Sequence, residues 1–286
     1  MDSNQLGARY TDRFFPQSPD LFENIAFNRD LIDWATHSNS EIYLAFLDFE
    51  KAFDRVDWLY RDAVLERMGF PSSLIGMINS LYHHASVRLN INGKLSLPIR
   101  QRRGVRQGCP MSPFIFALFV EPFGEMLRDS AKTYGVLLPP TRSGLSPFHI
   151  LCSQFAADTT LYVREASGVK CVMDLIDGEF CLAAGAKLNR SKSKILCSLN
   201  DEPQLPVAQQ ALQLVGDDWV KSLGKVYSVD IHPDEQFSTV LVKMERRLKV
   251  WQSRCKSVMA RVLVSNAVLV SWIWFFTYSV VGQEFL

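Results

Sequence analysis

Two aspartates stand where apolar stretches of the sequence end, a position from which a carboxylate can do chemistry. Asp48 closes the run Glu41–Phe49, which is almost continuously apolar and predicts a strand buried on both faces. Asp158 ends the tripeptide 156–158, which two flanking apolar segments place at a hairpin turn. Asp48 taken alone fits a helix cap, a salt-bridge partner or a metal ligand. Paired on adjacent strands, the two carboxylates suit Mg²⁺ and an in-line phosphoryl displacement assisted by two ions.

Turn and cap signals predict the elements that position these carboxylates. Asp57 is expected to cap a helix to about Met68, which Gly69 and Pro71 then stop. Asn92-Gly93 predicts a two-residue hairpin turn. The other patterns predict a helix from Ser72 or Ser73 to about His84, a helix from about Ser167 to Ala184, a strand over 191–199, a linker over 200–216 and helical structure from about Phe237.

A long apolar helix is predicted after the polar loop 100–110. Ser112 is expected to be its N-cap, with Pro113 in the first turn, and Pro122 should kink it. Strands interleaved with helices in this order, with hairpins, favour an α+β sheet domain followed by a small helical subdomain.

The composition indicates a globular protein and excludes several classes. The 286 residues are 48 % hydrophobic and 21 % charged, which excludes collagenous, low-complexity and wholly disordered chains. The six cysteines and five histidines lack zinc-ligand spacing, so we expect no zinc site. The net charge is +1, so the average charge does not favour a polyanionic partner.

Two segments bear on localisation. The polar N-terminal stretch lacks the features of a secretory signal, so we expect an intracellular protein, in the nucleus or the cytoplasm, with reduced thiols. The 20 residues Val262–Val281 carry no charge and meet the length criterion for a membrane span. Their polar members fit a buried helical hairpin or an exposed remnant equally well. We expect no membrane partner, although this segment could insert.

Three motifs occur in order along the chain. They are Phe46-Leu-Asp48-Phe-Glu-Lys-Ala-Phe53-Asp54-Arg-Val56, Arg106-Gln-Gly-Cys-Pro-Met-Ser-Pro113 and Phe155-Ala-Ala-Asp158. Together they resemble the reverse transcriptase domain of non-LTR (LINE-type) retrotransposons. Further on, Gly185–Ser193 is similar to the motif after the catalytic hairpin, Ser222–Gly224 to the primer-grip turn, and Trp251–Tyr278 to the start of the helical thumb.

The resemblance implies a fold and a set of partners. The fold would be the palm of a right-hand polymerase, an antiparallel sheet with packed helices, with residual fingers and a partial helical thumb. The implied divisions are residual fingers or approach segment over 1–40, palm-like core over 41–200, linker and primer-grip-like turn over 201–236, and partial thumb over 237–286. The implied partners are an RNA template, a DNA primer and deoxynucleoside triphosphates, and the implied cofactor is Mg²⁺, with Mn²⁺ as a substitute.

The resemblance also implies roles for the acidic and basic site residues. Asp48 and Asp158 would hold the metal ions and, with Lys192, form the catalytic set. Lys192 would neutralise or protonate pyrophosphate. Its alternative is an exposed lysine in a polar loop.

Four further residues would contact the incoming nucleotide or the template. The backbone near Phe49 would approach the triphosphate, and Phe53 would be the bulky gate against a ribose 2′-hydroxyl. Gln107 and Gly108 would touch the templating base and the nucleotide. The alternatives are a core phenylalanine at Phe53 and a plain polar turn at Gln107-Gly108.

The catalytic hairpin departs from the family pattern of aromatic-Ala-Asp-Asp, because Ala157 stands where the first aspartate belongs. A methyl group cannot coordinate Mg²⁺, so the ions would be held by Asp48 and Asp158 alone, and catalysis should fall by orders of magnitude. The finger strands and the endonuclease that precede this motif in the family are not in the sequence. We therefore expect a truncated, decayed or domesticated copy.

Local charge differs from the average. Between Ser86 and Val120 every charged residue is basic; these are Arg88, Lys94, Arg100, Arg102, Arg103 and Arg106. We expect the last four to contact a phosphate backbone. A second basic block covers Lys243–Arg261. The alternative for both segments is an ordinary solvated face. The leading hypothesis is a weak or inactive RNA-directed DNA polymerase. Its alternatives are a catalytically dead RNA-binding module and a non-functional mobile-element fragment.

Overall fold

The computed structural model describes residues 20–138, 148–199, 220–223, 225–228, 233–252 and 254–270. These residues fall into two compact units, one over residues 41–197 and the other over residues 20–40, 198–199 and those from 220 onward. Every site residue predicted from the sequence lies in the first unit.

The described chain begins with α1 (Asp20–His37), which belongs to the second unit. The first unit then contains, in order, β1 (Tyr43–Leu47), a 3₁₀ turn (Ala52–Arg55), α2 (Trp58–Arg67), α3 (Ser72–His83), β2 (Ser86–Val87), β3 (Asn90–Ile91), β4 (Lys94–Leu95), β5 (Ile99–Arg100), α4 (Ser112–Tyr134), β6 (Val136–Leu138), β7 (Phe148–Ile150), β8 (Cys152–Phe155), β9 (Asp158–Val163), α5 (Ala166–Leu175), a π-helical segment (Ile176–Cys181), α6 (Leu182–Ala184) and β10 (Lys194–Cys197). The rest of the second unit contains β11 (Val220–Ser222), β12 (Lys225–Tyr227), α7 (Pro233–Gln252), α8 (Val258–Val264) and a π-helical segment (Ser265–Val270).

The central sheet of the first unit has four antiparallel strands in the order β10–β1–β9–β8. All five residues of β1 are buried, which confirms the strand predicted from its continuous apolar run. The α+β class is confirmed as well, because the helix α4 packs on β7 and β8 of the same unit.

The helices after β1 begin and end where their cap signals predict. The Asp57 carboxylate accepts hydrogen bonds from the backbone N–H groups of Leu59 (2.9 Å) and Tyr60 (3.0 Å), a cap that stabilises a helix by about 1 kcal/mol. α2 and α3 are joined by Arg61, whose buried guanidinium pairs with Asp62 and hydrogen-bonds Asn79.

Both predicted hairpins are present. Asn92 (φ 52°) and Gly93 (φ 82°) form a two-residue turn with positive φ at both positions, as the Asn-Gly signal predicts. In the second hairpin, Asp158 is not in the turn but is the first residue of β9, paired with Phe155. The turn therefore consists of Ala156 and Ala157 alone, and Ala156 adopts a left-handed conformation (φ 52°).

Three local predictions need correction. Ser112 is not the N-cap of α4: Met111 occupies that position in helical conformation, and the Ser112 hydroxyl instead donates to the Arg106 carbonyl oxygen (2.6 Å), because the preceding loop already turns helically. The last predicted helix begins at Pro233 rather than near Phe237. The helix predicted over 167–184 ends at Gly185 (φ 65°) as expected, but its residues Ile176–Cys181 are π-helical.

The second unit contributes a small hairpin and basic helices. β11 and β12 pair antiparallel, and Leu223, within the predicted primer-grip turn, follows β11 with φ 49°. The predicted linker 200–216 lies outside the described residues, as does most of Val262–Val281. Within the described residues, no helix combines the length and hydropathy that a membrane crossing requires.

Gly104 joins the polar loop after β5 to the 3₁₀ turn. Its backbone has φ +86°, and a Cβ placed on it would lie 2.7 Å from the carbonyl oxygen of Asp54. Gly104 N–H donates to the Val56 carbonyl (2.8 Å), and the Trp58 indole N–H donates to the Gly104 carbonyl (2.9 Å). Only glycine therefore allows the two segments to approach this closely.

We expect Gly104→Ala to lower the free energy of unfolding by about 3 kcal/mol, since left-handed strain and a backbone clash add. Gly69→Ala is the matched control, because Gly69 has φ +81° but open space around its Cα, so strain of about 1 kcal/mol remains alone. Urea unfolding followed by far-ultraviolet circular dichroism measures both. Equal losses in the two variants would contradict the close-approach argument.

Candidate functional site

The two aspartates predicted to act together are brought together by the strand register. β1 pairs with β9 so that Leu47 lies opposite Thr159, and the next residue pair in this register is Asp48 and Asp158. Burial raises the pKa of Asp158, and the negative charge of Asp48 raises it further. The two carboxylates thus lie close enough to repel, at the edge where the buried strand β1 ends.

The backbone of Asp48 is held by the loop after Gly185. Its N–H donates to the Ser193 hydroxyl (3.1 Å), and its carbonyl accepts from the Asn189 N–H (2.7 Å). Ser193 is buried and donates in turn to the Asn189 carbonyl (2.9 Å). With its backbone satisfied in this way, Asp48 keeps its carboxylate for other partners.

Lys192 belongs to the same loop. The backbone N–H of Lys192 donates to the Asn189 carbonyl (3.1 Å), and Lys192 is exposed to solvent. One short turn therefore carries both the backbone partners of Asp48 and the exposed Lys192. The sequence predicted Lys192 but missed Ser193 and Asn189 as supports of Asp48, because such backbone contacts follow from loop geometry and not from residue type.

Beyond Asp48, a salt-bridge cluster around Glu50 adds to the contact between the first motif and the loop after Gly185. Lys187 Nζ lies 2.9 Å from Glu50 Oε2, and Arg55 Nη2 lies 3.5 Å from Glu50 Oε1. The hydrogen bond from Lys187 is the main cause that lowers the pKa of Glu50. Phe49 and Leu188 form a bridge between these residues, so the first motif is paired with the segment before Lys192 over several positions. The sequence analysis did not predict this pairing, because a single sequence does not show which residues of two distant segments lie opposite each other.

Ala157 supplies no ligand atom at the hairpin turn. It is half-buried and lines a cleft of about 360 Å³, counting the part open to solvent. Five phenylalanines, among them Phe49, Phe116 and Phe180, contribute to its walls. In the described part of the chain no cluster of three or more His, Cys, Asp or Glu side chains could hold a metal ion. The two carboxylates suit a hard dication, but the third expected ligand is missing.

The two site phenylalanines have different surroundings. The Phe49 ring packs edge-to-face on Phe123 (5.6 Å between centroids) and on Phe180 (6.0 Å), which places it in an aromatic cluster beside the cleft. Phe53 lies in the 3₁₀ turn and stacks on Phe116, with centroids 4.3 Å apart and planes 17° apart. Phe53 stays half-buried, which allows one edge of the ring to contact a ligand while the stack fixes its orientation.

Gln107 and Gly108 are exposed in the loop that leads into α4. The Val105 N–H donates to the Phe53 carbonyl (2.8 Å), which ties this loop to the aromatic residue of the first motif. Gly108 has φ +84° with open space around it. The structure thus brings the second motif to the first.

The four arginines differ in their contacts. Arg100 Nη2 lies 3.1 Å from His83 Nε2 and donates to the His83 carbonyl (3.2 Å). Arg102, Arg103 and Arg106 are exposed, and no described acidic side chain pairs with them. These three guanidinium groups are thus available to phosphate.

The second basic block is described within its own unit. Six of its seven basic residues are Lys243, Arg246, Arg247, Lys249, Arg254 and Lys256, all exposed on or just after α7. Arg254 lies 6.0 Å from the Trp251 ring centroid, and the seventh, Arg261, donates to the Cys255 carbonyl (3.1 Å). The exposure of these basic side chains is compatible both with an ordinary solvated surface and with a phosphate-binding surface.

Comparison with known proteins gives consistent similarities. Residues 8–250 match the family described as reverse transcriptase (RNA-dependent DNA polymerase). The chain is 29 % identical over 262 residues to the Transposon TX1 uncharacterized 149 kDa protein of Xenopus laevis, covering 89 % of this chain and 19 % of that protein. It is 27 % identical over 165 residues to the Pol polyprotein from the retrotransposable element R2 of Nasonia vitripennis, covering 58 % and 15 %. The chain spans about a fifth of these relatives or less.

The fold has a counterpart among solved structures. Apo telomerase from Candida tropicalis superposes with a TM-score of 0.51 at 13 % identity, covering 93 % of this chain and 41 % of that one. At this identity the similarity concerns the fold alone, and it agrees with a polymerase-like mixture of helices and sheet.

The repulsion between the two carboxylates predicts a pH dependence. Because the pKa of Asp158 is raised in the folded state, its ionisation lowers stability as the pH rises through that pKa. In metal-free buffer, Asp158→Asn should therefore unfold at higher urea concentration than the wild type at pH 7. This advantage should shrink as the pH falls through the raised pKa of Asp158, because the carboxyl is then protonated in the folded protein.

Asp174→Asn, at an exposed position of α5, is the control and should change little at either pH. An Asp158→Asn variant that is less stable than the wild type at pH 7 would contradict the assigned repulsion.

Proposed function

Because this chain belongs to the reverse transcriptase (RNA-dependent DNA polymerase) family, with relatives among non-LTR retrotransposon proteins, we propose that it binds an RNA template, a DNA primer and deoxynucleotides in its first unit. We further propose that its polymerisation is strongly impaired. The observation that carries both statements is the register that sets Asp48 opposite Asp158 while Ala157 occupies the turn.

The proposal assigns Asp48 and Asp158 to the divalent cations, Mg²⁺ or Mn²⁺. Oxygen ligands on adjacent strands suit these ions, and a cation between them would relieve the mutual repulsion of the two carboxylates. When bound, the ions would activate the primer 3′-hydroxyl and stabilise the leaving pyrophosphate. Without a carboxylate at Ala157 the second ion is poorly held, which is the physical reason for impaired chemistry.

Other residues of the first unit position the nucleotide and the template in this proposal. The Phe53 ring, held by its stack on Phe116, would exclude a ribose 2′-hydroxyl by contact. Gln107 and Gly108 would support the template side, since their loop is tied to the Phe53 carbonyl through Val105. Lys192 would neutralise the pyrophosphate, because it shares its turn with the backbone partners of Asp48.

The divisions proposed from the family pattern are a residual fingers or approach segment over 1–40, a palm-like core over 41–200, a linker with a primer-grip-like turn over 201–236 and a partial thumb-like segment over 237–286. The β11–β12 hairpin at the predicted primer-grip turn supports the third of these. We place the protein inside the cell, in the nucleus or the cytoplasm, where template RNA is found.

Primer extension on an RNA template tests the proposed chemistry. The wild type should extend a primer barely above background, and Ala157→Asp should raise the Mg²⁺-dependent rate by at least about a hundredfold, since one more carboxylate holds the ions. Ala157→Asn is the matched control, because it has the same shape without the charge, and it should not raise the rate. Asp48→Asn in the Ala157→Asp background should remove the gain.

Robust extension by the unaltered chain that needs Asp48 would overturn the proposed impairment. Absence of extension by both the wild type and Ala157→Asp would overturn the polymerase assignment and leave nucleic-acid binding as the function.

A second candidate is an RNA-binding module without chemistry. It is favoured by three exposed arginines, Arg102, Arg103 and Arg106, in a stretch without acidic residues. Phosphate binding through such a surface depends on counterion release and needs no catalytic carboxylate.

We expect the triple variant Arg102→Ala, Arg103→Ala, Arg106→Ala to bind single-stranded RNA more weakly, and its log Kd to depend on log salt with a slope smaller by about 2. Fluorescence anisotropy over a salt series measures both quantities. The control replaces three exposed basic residues outside the loop, Arg67, Lys132 and Lys170, and should retain the wild-type slope. Equal losses in both triple variants would contradict a specific role for this loop.

A further inference from the structure

The pairing between β1 and β10 is interrupted opposite Asp48. The last residue pair of this ladder is Phe46 with Lys194, and the next pairing along the two segments is the bridge between Phe49 and Leu188. Two residues of the first segment therefore lie opposite five of the second, which form a loop. Such a loop removes the backbone acceptor that a continuous antiparallel ladder would supply to the Asp48 N–H.

The Ser193 hydroxyl takes the place of this missing backbone acceptor. It accepts the Asp48 N–H (3.1 Å) and donates to the Asn189 carbonyl (2.9 Å), while the Asn189 N–H donates to the Asp48 carbonyl (2.7 Å). These three hydrogen bonds close a ring that contains both backbone groups of Asp48, and we call this ring the Asp48 clamp. Ser193 is 1 % exposed, so water does not readily replace a bond that is lost here.

The clamp needs a short side chain that accepts and donates at the same time. A hydroxyl does both through one atom, and serine and threonine carry it at the same distance from the backbone. Ser193→Ala would remove two of the three hydrogen bonds and leave only the bond between the Asn189 N–H and the Asp48 carbonyl.

The clamp holds Asp48 where its charge is opposed. The register of β1 and β9 brings Asp48 opposite Asp158, and two like charges at facing positions of neighbouring strands repel one another. Because the backbone of Asp48 is fixed, its carboxylate stays beside its partner in spite of this repulsion. An arriving cation then meets two ligands that are already in position, which favours binding.

We propose that Ser193 is a positioning residue that sets the affinity of Asp48 and Asp158 for a divalent cation by completing the Asp48 clamp. The inference rests on the proposed assignment of the cations to these two carboxylates. It adds a residue that contacts neither the cation nor the nucleotide and acts only through the backbone of Asp48. A serine that merely stabilised the fold would instead change the stability and leave the cation affinity as it is.

Mn²⁺ binding to the full chain, measured from the electron paramagnetic resonance signal of the free ion, tests the proposal without polymerisation. The wild type should show Mn²⁺ binding that Asp48→Asn abolishes. Ser193→Ala should weaken this binding by about 10- to 100-fold, the usual effect of removing a hydrogen bond that orients a metal ligand. Ser193→Thr keeps the hydroxyl and should bind Mn²⁺ as the wild type does.

Ser153→Ala is the matched control. Ser153 is also a buried serine of the first unit, at 9 % exposure, and its hydroxyl shares a hydrogen bond with the Tyr162 hydroxyl (2.6 Å) outside the clamp. Its replacement should lower the urea midpoint, as Ser193→Ala does, because each variant loses a buried hydrogen bond. Its Mn²⁺ affinity should remain that of the wild type.

Unchanged Mn²⁺ affinity in Ser193→Ala would overturn the inference and leave the proposed cation assignment standing. Equal losses in Ser153→Ala and Ser193→Ala would also overturn it, since lowered stability would then explain both, and so would a Ser193→Thr variant as weak as Ser193→Ala. Mn²⁺ binding that is absent from the wild type, or that Asp48→Asn does not reduce, would overturn the cation assignment itself and the inference with it.

Discussion

The antiparallel pairing of β1 with β9 is the constraint on which the site depends. A slip of one residue would set Asp48 opposite Ala157 or Thr159 and would exchange the faces of every side chain in the strand. The pairing is fixed because Tyr43, Leu44 and Ala45 are fully buried, so a slipped strand would lose a packed core. Burial of apolar residues therefore stabilises an arrangement in which two negative charges face one another.

The surrounding loops use their backbones to complete the site. Asp48 has both backbone groups bonded to the 189–193 loop, and the Phe53 carbonyl is bonded to the loop that carries Gln107. Because backbone groups make these contacts, the carboxylate of Asp48 and the side chain of Lys192 are not consumed in holding the fold. At Gly104 the backbone of the loop before α4 lies directly against the backbone of Asp54, so no side chain separates the second motif from the first.

Much of the first unit could be predicted from local patterns, and the reasons are physical. The apolar run through β1, the Asp57 cap and the Asn92-Gly93 turn each depend on a residue's own conformational preference or burial. The Ser112 prediction failed because Met111 already has helical conformation and occupies the N-cap position, and the Ser112 hydroxyl donates to the Arg106 carbonyl oxygen. Ser193 and the Glu50–Lys187 ion pair could not be predicted, because they depend on how segments more than a hundred residues apart are paired.

Ala157 has opposite consequences for the stability of the fold and for the proposed chemistry. The turn residue takes no part in strand pairing, so a methyl group there leaves the register of β8 and β9 intact. A carboxylate at that position would add a third negative charge beside Asp158, whose pKa is already raised by burial and by Asp48. In the absence of a cation, alanine is therefore the more stable residue at this turn, whereas a chain that must hold two cations needs the charge. Under the proposed mechanism, the alanine that would impair catalysis also removes a repulsion, so a fold of this family can keep its stability without a carboxylate at this turn.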